Sequence, residues 1–139
     1  MTLRSDTRTD LHTWLGVFQA ANSGLRQVRR ARPANFNELP LAYVGGIRER
    51  LAHDPGTRRR DMEADIVFVD MVTDNEEAVD RLDDLADAAV DALTAAPHAV
   101  TNAGFLEPAR SESAELDVGG VPYAAVVVTV RVYQEVGRG

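Results

Sequence analysis

The chain has 139 residues, of which 45% are apolar and 27% charged, with no cysteine and a formal net charge of −7. That length and balance predict one globular domain large enough to bury a core without staples, not a disordered chain. They exclude disulfides, thiolate chemistry and cysteine metal sites, and no apolar run approaches the roughly 18 residues of a membrane span.

The start, MTLRSDTRTDLH, is polar with two acids and lacks the apolar core of a signal peptide. The expectation is a protein that stays in the cytoplasm where it is made, or in a particle assembled there. Residues 8–22 predict an amphipathic helix, with Leu11, Trp14, Leu15 and Phe18 at helical spacing and Asn22-Ser23-Gly24 closing it. Residues 1–7 and 137–139 are expected to be flexible tails of the single domain 1–139. Trp14, with no aromatic cage around it, is expected in the core. The segment 24–32 predicts a short edge strand, and its arginines Arg29, Arg30 and Arg32 are candidate contacts to an acidic partner surface.

Residues 33–40 are bracketed by prolines and predict a loop. A strand over 41–52 follows, interrupted at Gly45-Gly46. That pair predicts a bulge or a close backbone approach, because a phosphate-cradling loop needs a helix N-terminus beside it. Asp54-Pro55-Gly56-Thr57 suits a type II turn and would join this strand to the next as a hairpin. Arg58, Arg59 and Arg60 at that hairpin tip are the best candidates for a subunit or partner contact.

The stretch from Glu63 to Pro97 organises the rest. Apolar residues of both parities (Ile66, Val67, Phe68, Val69, Met71, Val72) predict a strand buried on both faces. A turn at Asp74-Asn75 leads into a helix capped by Asp74 with Glu77 three residues on, and stopped by Pro97. Val79, Leu82, Leu85 or Ala86, Ala89 and Leu93 predict its buried stripe. Asp80, Asp84, Asp87 and Asp91 fall opposite. Their row diverges along a surface rather than converging with other ligands, so it predicts a solvated or lumen-facing acidic face, not a metal site.

Residues 98–113 predict a long connection from which Phe105 and Leu106 tuck onto the core. A second hairpin closes the chain. Ser113–Val118 alternates, Gly119-Gly120 supplies the positive φ values of a primed turn, and Val121–Glu135 returns. Val126, Val128, Val130 and Val132 share one face of that strand, with Thr129, Arg131 and Gln134 marking half-exposure, and Pro122 turns its missing N–H away from a partner. The fold expected is α+β: one mixed or antiparallel sheet of four or five strands with two helices packed on it.

All fifteen basic side chains are arginine. Residues 1–60 hold eleven of them against five acids, and residues 61–139 hold four against seventeen. Complementary halves in an acidic domain favour pairing with copies of the same chain over nucleic acid. His12, His53 and His98 form no metal-spaced pair, and Ser111 and Ser113 lack the strand–turn–helix setting of a nucleophile. The residues therefore predict no catalytic site, no metal and no cofactor, and an enzyme assembled from residues distant in sequence is left as the residual alternative.

The segment NELPLAYVGGIRERLAHDPGTRRRDMEADIVFVDMVTDNEEAVDRLDDLADAAVDALTA, together with the later YAAVVVTVRVYQE, resembles the tail terminator (tail completion) proteins of long-tailed bacteriophages over about residues 36–136. The resemblance lies in a Leu-Pro-x-Ala-Tyr-Val-like lead into a hairpin, a valine-rich strand, an acidic turn and a helix of LDxLxDAxxDAL type. It implies a ring, usually hexameric, in the virion at the head-proximal end of the tail and assembled in the host cytoplasm. Such a ring caps the finished tube, ends its elongation and docks the head connector. Its partners would be its own copies, the tail tube protein and the head–tail connector or stopper protein. DNA would pass through without specific binding, and no membrane would be involved. Two alternatives stand beside it: a head-side stopper or neck protein, and, from another class, a small dimeric ligand-binding accessory domain with an apolar pocket between helix and sheet.

Overall fold

A computed structural model describes residues 3–50, 59–72, 76–95 and 105–135. The elements run helix α1 (Leu3–Ala21), strands β1 (Gln27–Arg29), β2 (Leu41–Arg50) and β3 (Arg59–Val72), helix α2 (Glu76–Ala95), and strands β4 (Phe105–Val118) and β5 (Val121–Glu135). One sheet of five strands, in the order β1-β2-β3-β5-β4, is mixed: β1 joins β2 in parallel and every other pair is antiparallel. The α+β fold is thus as the sequence predicts, with both helices on one face.

Helix α1 lies over β1 and β2, and α2 over β3, β5 and β4. Alternation in the strands supplies the face beneath them. Met62, Ala64, Ile66 and Phe68 of β3, with Ala124, Val126, Val128, Val130 and Val132 of β5, are buried against Leu11, Trp14, Leu15 and Phe18 of α1 and Leu82, Ala89 and Leu93 of α2. Trp14 stacks on Phe18 with ring centroids 5.2 Å apart, and Phe18 meets Phe68 edge-on at 6.0 Å, an arrangement that aromatic quadrupoles favour. Each fully buried leucine or phenylalanine here adds about 2 kcal/mol of burial free energy. The other face carries a smaller apolar cluster of Leu41, Tyr43, Val67, Val69 and Ala125 under Phe36, so β3 is buried on both sides over its middle.

Three bulges shape the sheet. The first falls between Val44 and Ile47, where the glycine pair predicts it. A Cβ on Gly45 would come within 3.3 Å of Val67 Cγ2 and 3.4 Å of Asp65, so the close approach is also present. The second lies between Val69 and Val72 of β3, and the third between Pro108 and Arg110 of β4. Gly119 and Gly120 turn β4 into β5 with φ of 60° and 83°, as a primed turn requires.

Several expectations change. Helix α1 begins at Leu3, not near residue 8, and Thr7 within the expected tail is fully buried. The span 98–113 is not all connection: β4 already runs from Phe105 and pairs with β5 along its length. Its polar sequence is held by the valine-rich partner, and Pro108 is tolerated because β4 is an edge strand with a bulge beside it. In α2 the buried stripe takes Ala78, while Val79 is 38% exposed. Met71 is 46% exposed, past the covered part of β3, and Thr129 is buried, not half-exposed. The turn at 54–57, Arg58, Asp74-Asn75, Pro97, His53, His98 and the tail at 137–139 lie outside the described residues, as do the side chains of Arg59, Arg60, Phe105 and Gln134.

Candidate functional site

Strand register writes the chemistry of the helix-free face. One row crosses four strands as Arg48, Glu63, Arg131 and Glu107, alternating in charge. The next holds Asp65, Thr129 and Arg110 side by side. Arg48 forks onto Asp65 with two bonds of 3.0 Å, Thr129 Oγ1 donates to Asp65 Oδ1 at 3.1 Å, and Arg48 also lies 3.5 Å from Glu63. Burial alone would push the Asp65 carboxyl up. The hydrogen bonds from Arg48 and Thr129, with the charges of Arg48 and Arg110, outweigh it and hold Asp65 below the usual carboxylate range. Tyr133 donates to Glu107 at 3.1 Å. The bond with Tyr133, then the carboxylates of Glu107 and Glu63, keep Arg131 more firmly protonated than usual.

The other half of this face is apolar. Phe36 covers it, stacked on Tyr43 at 6.5 Å and edge-on to Tyr123 at 5.1 Å, with the Arg32 guanidinium 5.8 Å from its ring. Burial raises the Tyr43 hydroxyl's pKa despite the opposing charge of Arg32.

The predicted arginine contacts divide. Arg29 is exposed on β1, and Arg32 sits over Phe36. Arg30 is instead a tether: it donates to Thr9 Oγ1 at 3.1 Å and to the Ser5 hydroxyl and carbonyl at 2.9 and 3.1 Å, holding α1 to β1. Beside it Arg8 reaches the Val44 carbonyl at 2.8 Å, and burial, then the charge of Arg30, lowers its pKa. Asp80, Asp84, Asp87 and Asp91 are all exposed on α2, as their spacing predicts.

The sheet order separates charge laterally. At the β1 end, residues 3–40 carry six arginines against three acids. At the β4 end, α2 and β4 together carry two arginines against eleven acids. One of those two, Arg81, is committed to Asp70 through bonds of 2.9 and 3.1 Å. The molecule therefore has one basic side and one acidic side, a polarity that the halves of the sequence suggest but only the strand order places at opposite ends.

A shallow depression of about 360 Å³ lies where the end of α1 meets α2, lined by Asn22, Ser23, Gly24, Pro40, Arg81 and Asp84 among others. Its lining mixes those polar groups with Ala21, Pro40 and Leu85, and it lies at the helix end. Among the described residues no three histidine or acidic side chains come together as a metal set, and no helix is long and apolar enough to cross a membrane. No protein-family model matches the chain, and no curated protein matches it either.

Proposed function

We propose that the chain is a structural ring protein of a long-tailed bacteriophage, the terminator that caps the tail tube, ends its elongation and offers the head connector a docking surface. The observation that carries this reading is the lateral charge polarity. A protomer with a basic side and an acidic side at opposite ends of its sheet is complementary to its neighbour head-to-tail, and heterologous contacts of that kind generate rings when the rotation closes. The resemblance in the segment 36–136 supplies the identity of the ring. The outer face of α2 supports it further: seven carboxylates and one arginine held by Asp70 make a surface that repels phosphate, as suits a channel through which DNA passes.

Light scattering across protein concentration, with negative-stain imaging, tests this. The expected outcome is a monomer-to-ring equilibrium that shifts toward monomer as salt rises, because exposed charge pairs are screened over about 10 Å at 0.1 M. Charge reversal at Arg58, Arg59 and Arg60 is expected to weaken assembly and leave the fold intact by circular dichroism. A strict dimer at every concentration and salt would overturn the ring.

A further inference from the structure

Resting on the ring reading above, we infer that neighbouring copies join edge to edge, β4 of one copy pairing antiparallel with β1 of the next, so that a single sheet runs around the ring.

Among the described residues, no strand pairs with the outer side of either end of the sheet. Strand β4 is terminal over fourteen residues, and β1 pairs only with β2. Among the described residues, the backbone hydrogen bonds outside helices and ladders are confined to Asn22, Leu25 and Arg26 with their acceptors, and none involves β4. An edge of that length is a template for another strand unless something blocks it.

The side chains select the partner. Strand β4 bears Glu107, Glu112, Glu115 and Asp117 against the single Arg110, so two β4 edges brought together would set carboxylates opposite carboxylates. The β1 end bears Arg26, Arg29 and Arg32. Glutamates of β4 laid beside those arginines make the favourable cross-strand pairs.

Strand direction agrees. Strands β1 and β2 run the same way, and each later neighbour in the order β3, β5, β4 reverses, so β4 runs opposite to β1. Rotation about an axis along the strands preserves direction, so β4 meets the next copy's β1 antiparallel, the more stable ladder. The same rotation keeps the helices of every copy on one side. Arg29, opposite Tyr43, and Glu112, opposite Val127, both lie on the helix-free face and would meet there. On the helix side, the acidic α2 approaches the α1 of the next copy, where Arg4 is exposed. With β1 only three residues long, the backbone share of this seam is small, which suits an assembly that forms reversibly at high concentration.

The absence of native cysteine makes the test clean. Glu112→Cys or Ala114→Cys, each combined with Arg29→Cys, is oxidised at ring-forming concentration and run on a non-reducing gel. The expected result is a ladder of cross-linked copies for at least one pair, absent when either cysteine is left out. Charge swapping gives a second readout: E112R and R29E each lower the ring population about tenfold at fixed concentration, and E112R/R29E together restore it. Rings that form without cross-linking in either pair, a dimer from Glu112→Cys alone, or a double swap no better than the singles would overturn the seam and leave the ring reading standing. A wild-type chain that forms no ring at any concentration would instead remove the ring reading itself.

Discussion

Strand β3 carries two aspartates gripped by arginines, one on each face of the sheet. On the helix side the Asp70 carboxylate is 1% exposed and receives both Arg81 bonds plus the Met71 backbone N–H at 2.8 Å. On the helix-free side Asp65 is 23% exposed and receives Arg48 and Thr129. Bond lengths scarcely differ, so geometry does not rank the pairs; burial does. A buried carboxylate that loses its partner has no water to turn to, whereas a part-exposed one resolvates. The Asp70 pair therefore fastens α2 to the end of β3, and the Asp65 pair is an adjustable part of a surface.

The largest expected effect follows from that difference. Arg81→Ala should destabilise the fold by about 3 kcal/mol, because it takes both guanidinium bonds from a buried carboxylate and leaves it the Met71 N–H. Arg48→Ala should cost about 1 kcal/mol or less. Urea denaturation of both variants at neutral pH checks the ranking, and equal costs would break the contrast.

The Asp65 pair is better resolved by pH. Its folded-state pKa is depressed, so its contribution is present above the ordinary aspartate value of about 3.9 and is lost as pH falls through the folded value. Asp65→Asn should therefore be less stable than the wild type by about 1 kcal/mol at neutral pH, with the gap shrinking below about pH 4. Urea midpoints at about pH 7 and about pH 3 measure it. A gap that stays constant with pH would mean the cluster is held by shape and not by charge.

Neither pair was legible in the sequence, since each depends on where strands register and where they bulge. Asp70 meets Arg81 beside the irregularity between Val69 and Val72, which no glycine announces, whereas the bulge at Gly45-Gly46 and the turn at Gly119-Gly120 are written in residues that tolerate what those places need. The α2 helix was legible from its spacing. Its buried stripe runs as expected through Leu82, Leu85, Ala86, Ala89 and Leu93, and differs only in the first turn, where Ala78 is buried and Val79 is exposed. Strand β4 was half hidden, because Glu107, Pro108, Ser111 and Glu112 carry little strand preference and the partner β5 imposes it. Arg30 reads as a surface contact in one dimension, yet Ser5 and Thr9 reach it only through the fold. Which side of the molecule each charged half occupies was likewise beyond the sequence, because it follows from the strand order.

The smallest expected effect completes the contrast with Asp70. Asp80 and Asp84, and Asp87 and Asp91, stand four residues apart on the exposed side of α2, where like charges repel by a few tenths of a kcal/mol. Asp91 also lies near the C-terminal end of the helix, which has no basic residue in its last turn, and a negative charge there opposes the helix dipole. Asp84→Asn and Asp91→Asn should therefore leave the isolated domain unchanged or raise its stability by up to about 0.5 kcal/mol, with Asp91→Asn gaining more because it also relieves the dipole and, unlike Asp84, has no arginine three residues away to lose. The gain should fade in about 1 M salt, where the Debye length is near 3 Å. Urea denaturation at low and high salt reads both points. A loss of more than about 1 kcal/mol on neutralising either residue would mean that it makes a contact within the domain. The row would then belong with Asp70 as part of the fold, against the role proposed for it as a surface for neighbouring copies or a channel.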